Sequence, residues 1–152
     1  MIQLYWFISL ILNVERVVER MSSLDQFIER VKVVVTADVE EKILREKYNQ
    51  VILPCMKKIE ESLKQIDGYD YFISTSNENS ELRIQNVKFR VRVDESTNTI
   101  KVKKTTDTFI HEDLDEIILQ EGKLFSKNRE EIFTEGILVE YLNEAFEGIL
   151  GQ

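Results

Sequence analysis

Strict alternation of apolar and basic residues over positions 87–93 limits the fold more than any other feature of the sequence. A period of two places successive side chains on opposite sides of a β-strand. The same alternation resumes at 100–103, after a polar turn at 94–98. These segments predict an antiparallel hairpin with an apolar face and a basic face. The basic residues are Lys88, Arg90, Arg92, Lys101 and Lys103.

The predicted hairpin register gathers these positive charges into one patch. Pairing Val93 with Ile100 sets Arg92 beside Lys101 and, one step further, Arg90 beside Lys103. Because like charges on neighbouring strands destabilise a sheet, the patch requires solvent or a compensating anion. An internal anion could come from the last helix or from a turn at Glu112–Glu116. An external anion would be a nucleic-acid backbone or an acidic partner.

Helical patterns precede the hairpin. Apolar residues at 24, 27, 28, 31, 34 and 35 follow the spacing of one helix face, behind a Ser23 cap. Asp38 is the predicted start of a second helix that ends at Asp67-Gly68, and Pro54 is expected to kink or split it. Cys55 lies on the apolar stripe of that helix. We therefore expect a buried thiol, since no histidine adjoins it to form a nucleophile.

The remaining patterns complete an α+β fold. Short strands are predicted at Thr108–His111, Ile117–Leu119 and Lys123–Phe125, with turns at Glu112–Asp115 and Gln120–Gly122. Thr134 is expected to cap a last helix. The predicted architecture is two N-terminal helices, a central antiparallel β-sheet built of hairpins, and a C-terminal helix packed on one sheet face.

Residues 1–20 differ from the rest, because Met1–Val14 carries no charge and is rich in large apolar side chains. The stretch is short for a membrane span and lacks the basic start and small-residue cleavage site of a secretory signal. A core helix or strand is a further reading. We favour Met21 as the native start, with residues 1–20 an N-terminal extension from a misassigned start and 21–152 a single domain.

Charge and cysteine content limit the compartment and the partners. The chain has one cysteine, which excludes an intramolecular disulfide, and a net charge of −8. The first feature favours the cytoplasm. The second argues against a membrane partner and against nucleic-acid binding over the whole surface, so such binding would be local. Base readout is not expected, since the only aromatic residue among the basic ones, Phe89, should face the core.

Catalytic signatures are sparse. The sequence contains no nucleophile elbow, no phosphate-binding glycine loop and no zinc-protease motif. On a strand, His111, Asp113 and Asp115 would project to one side and could hold magnesium or manganese. The simpler interpretation is a solvated acidic turn. No cofactor is predicted, and a metal-dependent enzyme centred on His111 remains the second alternative.

The predicted last helix has an acidic face opposite its apolar stripe, made by Glu135, Glu140, Glu144 and Glu147. An acidic helix can occupy a basic groove on another protein, and such charge governs partner choice and association rate. The leading hypothesis is a small intracellular protein-interaction module of the immunity, antitoxin or inhibitor type, without catalytic activity. The first alternative is a nucleic-acid-associated protein that uses the basic hairpin face.

Several short segments resemble a known family. They are Ser23–Glu29, Tyr69–Phe72, Phe133-Thr134 and Phe146–Gly148. In their order along the chain they resemble a family of short proteins from Bacillus-group bacteria, a domain of unknown function. The resemblance covers Met21–Gln152 and implies a bacterial cytoplasmic protein. It implies no activity and no site residues.

Overall fold

The computed structural model describes residues 22–68, 70–107 and 110–151. The chain divides into two compact units, Met1–Asp38 and Val39–Gln152. The apolar stretch Met1–Val14 and the proposed start at Met21 lie outside the described residues.

Among the described residues, two helices precede the sheet, α1 (Ser23–Val51) and α2 (Leu53–Leu63). The helix start predicted at Asp38 is wrong, because positions 36–42 contain no glycine or proline and the helix continues through them. The split at Pro54 is confirmed. Proline is tolerated there because the first turn of a helix needs no backbone donor from it. The N-terminal cap is Ser22 rather than Ser23, since its Oγ accepts from the Asp25 N–H at 3.1 Å.

The apolar face predicted for the start of α1 does not form part of a core. Taken by itself, the described part of the first unit has every side chain exposed. Phe27 is 62% exposed and Val34 is 63% exposed. The spacing therefore predicted the helix correctly, but it did not identify a buried surface.

The described residues form a seven-stranded antiparallel sheet in which each strand pairs with the next in the chain. Two helices follow the sheet, α3 (Glu135–Ala145) and the single-turn α4 (Glu147–Leu150). The predicted α+β class is confirmed. The strands are β1 (Tyr71–Thr75), β2 (Asn79–Ile84), β3 (Val87–Asp94), β4 (Thr99–Thr106), β5 (His111–Gln120), β6 (Lys123–Ser126) and β7 (Glu131–Ile132).

The register predicted for the central hairpin is confirmed. Strand β3 pairs with β4 so that Val93 faces Ile100, Arg92 faces Lys101 and Arg90 faces Lys103. The apolar residues of β3 are buried, and Phe89 and Val91 are fully inaccessible. They share one core with Leu44 of α1, Met56 of α2 and Leu138 of α3.

A buried hydrogen bond joins α1 to the sheet. The hydroxyl groups of Tyr48 and Ser80 lie 2.6 Å apart and are inaccessible to solvent. Burial raises the pKa of Tyr48 to about 12, and the hydrogen bond with Ser80 opposes part of that rise. A neutral tyrosine with a hydroxyl partner can be buried at low cost, because its polar atom is paired.

Strand β5 departs from the prediction. The predicted turn at Glu112–Asp115 is wrong, because the segment continues as one strand from His111 to Gln120. A β-bulge allows this: Val102 pairs with Asp115 and Lys103 with Asp113, so that Leu114 is an extra residue. Thr108 and Phe109, part of a predicted strand, lie outside the described residues.

We expect the Cys55 thiol to react only when the protein opens. The residue is 8% exposed, and burial raises its pKa, as does the nearby charge of Glu135, while Lys58 has the opposite effect. Burial and the charge of Glu135, which raise the pKa, reduce the fraction of reactive thiolate. A disulfide reagent should therefore label the protein much more slowly in buffer than in denaturing urea. Equal rates in the two solvents would mean that Cys55 is accessible in the native state.

Candidate anion-binding site

The outer face of the sheet, opposite the apolar core, carries the basic residues in cross-strand rows. The central row runs Glu81, Arg90, Lys103, Asp113 across β2, β3, β4 and β5. Directly opposed residues of neighbouring strands point to the same side, so the two cations lie between two carboxylates.

The rows on either side are less balanced. One row runs Asn79, Arg92, Lys101, Glu116 from β2 to β5. The other row begins at the edge strand β1 and runs Phe72, Arg83, Lys88, Thr105, His111. Arg83 therefore adds a sixth cation to the predicted patch.

An open concave region of about 500 Å³ lies over these rows. Its lining includes all five predicted basic residues and Arg83, and Asp107 is the one acidic residue among the described residues that line it. We call the six cations the basic face. The described residues that line it are Arg83, Gln85, Asn86, Lys88, Arg90, Arg92, Lys101, Lys103, Thr105, Thr106, Asp107 and His111.

Carboxylates of the same chain compensate part of the basic face. Lys88 Nζ lies 3.2 Å from Glu81 Oε1, and Lys103 Nζ lies 3.6 Å from Asp113 Oδ1. Arg83 Nη1 lies 2.7 Å from Asp70 Oδ1. One of the two predicted internal sources, the Glu112–Glu116 segment, therefore contributes. The last helix does not, because its buried side chains pack into the core on the opposite side of the sheet.

Three cations at the centre of the face remain without such a partner. Among the described residues, Arg90, Arg92 and Lys101 form no salt bridge. Arg90 Nε donates to Asn79 Oδ1 at 2.8 Å, which holds the guanidinium in place without neutralising it. Glu116 stands opposite Lys101, but its carboxylate lies 3.6 Å from Lys127 Nζ.

The pKa of Asp94, at the end of β3, is affected by two of these cations. Hydrogen bonds from Ser96 lower the pKa of Asp94, and the charges of Arg92 and Lys101 lower it further. The carboxylate is held by Ser96 at the turn, where Oγ donates to Oδ1 at 2.6 Å. Asp94 forms no salt bridge with Arg92 or Lys101 among the described residues, so these two cations are not neutralised by direct contact with it.

The three proposed metal ligands do not share one side of β5, contrary to the prediction. The bulge at Leu114 turns Asp115 into the core, where it is 4% exposed, while Asp113 stays on the outer face. His111 Nδ1 lies 3.0 Å from Thr105 Oγ1. No group of three potential ligands placed to hold a metal ion occurs among the described residues.

Asp115 instead organises the junction between the sheet and α3. Its carboxylate accepts hydrogen bonds from Tyr141 Oη at 2.8 Å and from the Asn128 N–H at 3.1 Å, and also from Ser126 Oγ. Burial raises the pKa of Tyr141, whose ring also packs 4.5 Å from the Arg129 guanidinium carbon. Asp115 therefore has a structural role that the sequence did not reveal.

The four glutamates predicted as a partner surface are all exposed. Glu140 forms a salt bridge with Arg129. A break at Phe146 places Glu147 in α4 instead of α3. The predicted cap is confirmed, because Thr134 Oγ1 accepts from the Ile137 N–H at 3.4 Å.

We expect Asp115→Ala to destabilise the protein by about 2–4 kcal/mol, because the buried hydroxyls of Tyr141 and Ser126 and the part-buried N–H groups of Glu116 and Asn128 would lose their acceptor. Asp113→Ala is the matched control. That side chain is 79% exposed, so its loss should change the free energy of unfolding by less than about 0.5 kcal/mol. Urea denaturation measures both variants. Equal effects would show that the Asp115 network contributes nothing beyond a surface carboxylate.

Two residues of the outer face were absent from the predicted patch, Arg83 and Phe72. Each lay in a segment of alternating residues, so a signal was present in the sequence. Their place beside Lys88 on the outer face follows only from the pairing of β1 with β2 and of β2 with β3.

Comparison with known protein families identifies a match over most of the chain. Residues 24–150 match the family model described as Protein of unknown function (DUF3942). No curated protein and no solved structure matches the chain. Within the part of the chain that the structure describes, no helix has both the length and the apolar character needed to cross a membrane.

Proposed function

The chain belongs to this family of proteins of unknown function, and from its own geometry we propose that it is a non-catalytic binding module whose basic face holds a nucleic-acid backbone. One observation carries the proposal. Arg90, Arg92 and Lys101 adjoin one another on the open side of the sheet, and no salt bridge neutralises them within the described residues.

The energetics favour an external anion. Like charges directly opposed on neighbouring strands destabilise a sheet by up to about 1 kcal/mol for each pair. Arg92 with Lys101 and Arg90 with Lys103 are two such pairs. A phosphate between the members of a pair would relieve the repulsion and form charge-assisted hydrogen bonds with both.

Because the whole chain is acidic, nucleic-acid binding must be confined to the basic face. The net charge of −8 repels a polyanion at long range. Affinity therefore depends on short-range contacts with phosphate groups, and it should fall steeply as salt rises. Backbone contacts of this kind position a nucleic acid without reading its sequence.

The cellular setting is part of the proposal. A lone buried cysteine suits the reducing cytoplasm. We propose a bacterium of the Bacillus group as the source, which is what the resemblance of the short sequence segments implies. No cofactor enters this function.

We expect the double variant Arg90→Glu, Arg92→Glu to abolish binding of a labelled oligonucleotide at low salt. For the wild-type protein, the logarithm of the binding constant should fall with the logarithm of salt with a slope of about −2 to −4, which corresponds to three to six phosphate contacts. Fluorescence anisotropy measures both quantities.

The control for that experiment is Lys57→Glu with Lys58→Glu. These exposed lysines lie on α2, and the double change alters net charge by the same amount. Binding should survive in this control. Equal loss in the two double variants would mean that only total charge matters, and the proposed site would then be wrong.

A second candidate function is the protein-interaction module. The observation that favours it is the acidic surface of the C-terminal helices. Glu135, Glu144 and Glu147 are exposed and form no salt bridge among the described residues, and Val139 is 41% exposed on the same helix as the first two. A partner with a basic groove, as in immunity, antitoxin or inhibitor pairs, fits this surface.

The change Glu144→Lys should weaken a protein complex of this kind. Glu140→Lys should add to the loss, although part of its effect would come from the lost contact with Arg129. The measurement is recovery of a stoichiometric partner from nuclease-treated extract of the host. Glu46→Lys and Glu61→Lys, exposed glutamates of α1 and α2, are the controls and should retain the partner. Equal recovery with Glu144→Lys would exclude the acidic helix as the contact.

A further inference from the structure

An exposed aromatic ring stands at the edge of the basic face. Phe72 lies on the edge strand β1 and is 49% exposed. Its strand neighbours Tyr71 and Ile73 are more buried, and Tyr71 is anchored by its hydroxyl to the Leu63 carbonyl at 2.9 Å. Phe72 therefore points away from the core, on the same side of the sheet as the cations.

Arg83 occupies the position next to Phe72 on the neighbouring strand. It is the cross-strand neighbour of Phe72, and its own neighbour on the next strand is Lys88. Arg83 Nη1 donates to Asp70 Oδ1 at 2.7 Å and to the Gln85 carbonyl at 2.9 Å. These two bonds hold the guanidinium at the rim of the concave region, on the strand next to the one that carries Phe72.

The spacing suits a nucleotide chain. Neighbouring strands lie about 4.8 Å apart, so the Phe72 backbone is about 10 Å from that of Lys88. Steps of two residues along β3 advance about 7 Å each and lead from Lys88 to Arg90 and then to Arg92. Phosphates can follow these cations along the strand while a base at one end reaches Phe72.

From this arrangement we infer that the ligand of the basic face is a single-stranded nucleic acid, with one base stacked on Phe72. The inference rests on the proposed function. In a duplex the flat faces of the bases are covered by stacking, whereas in a single strand they are open to an aromatic side chain. An acidic protein or an inorganic polyphosphate has no base to place on the ring.

The test uses the full chain and a fluorescein-labelled single-stranded oligothymidylate. Phe72→Ala should weaken binding by about 5- to 150-fold, which is the range for the loss of one stacked base. Phe72→Leu should also weaken it, because leucine keeps apolar bulk without an aromatic face. Phe72→Tyr should restore binding. Ile132→Ala is the control, since this residue is 51% exposed on the opposite edge strand.

Two further probes separate the possible ligands. A duplex of the same length should bind more weakly than the single strand and should be insensitive to Phe72→Ala. Inorganic polyphosphate should also be insensitive to that change. The inference is overturned if Phe72→Ala binds the single strand as tightly as Ile132→Ala does, or if the duplex binds as well as the single strand.

Failure of this inference can be told apart from failure of the proposed function. If Arg90→Glu with Arg92→Glu removes binding and the Phe72 variants have no effect, the basic face binds phosphate and only the stacking is wrong. If the arginine variants have no effect on any polyanion, the proposed function fails as well.

Discussion

Pairing between β3 and β4 is the interaction on which the rest of the second unit depends. The alternation along β3 makes one face of the pair apolar and the other basic, and the two faces cannot be exchanged without moving every side chain. Burial of Phe89, Val91, Ile100 and Val102 fixes that choice. Leu44 of α1, Met56 of α2 and Leu138 of α3 then pack in the core on the apolar side, and the cations are left on the open side.

The bulge in β5 decides what each of its carboxylates can do. Without it, Asp113 and Asp115 would lie on the same face. The extra residue Leu114 places one carboxylate beside Lys103 and the other in the core. Asp115 then gives Tyr141 a buried acceptor, which ties α3 to the end of the sheet. The bulge thus places one carboxylate on each side of the sheet. Asp113 offsets part of the positive charge of the outer face, and Asp115 holds the last helix through Tyr141.

Local pattern was enough to predict the central hairpin and its register, because strand period, turn and apolar face all agree between 87 and 103. It was also enough for the helix break at Pro54 and for the Thr134 cap, which depend on residues close in sequence. It failed at Glu112–Asp115, where acidic composition is typical of a turn but the basic neighbour strand supplies opposite charges. It failed again at Asp38, where a residue typical of helix starts lies inside one. The outer-face roles of Arg83 and Phe72 required pairings between separate strands, which no local window contains.

A basic face is informative in this protein because it departs from the acidic composition of the chain, whose net charge is −8. Carboxylates are abundant enough in this chain to neutralise every cation of the face, and they do so at its edges, at Glu81, Asp113 and Asp70. At the centre, Arg90 donates to the amide oxygen of Asn79, while Glu81, which stands directly across from Arg90, pairs with Lys88 instead. An amide orients a guanidinium but leaves its charge available. The proposal of an external anion rests on this arrangement, because an oriented and unneutralised guanidinium can form charge-assisted hydrogen bonds with a phosphate.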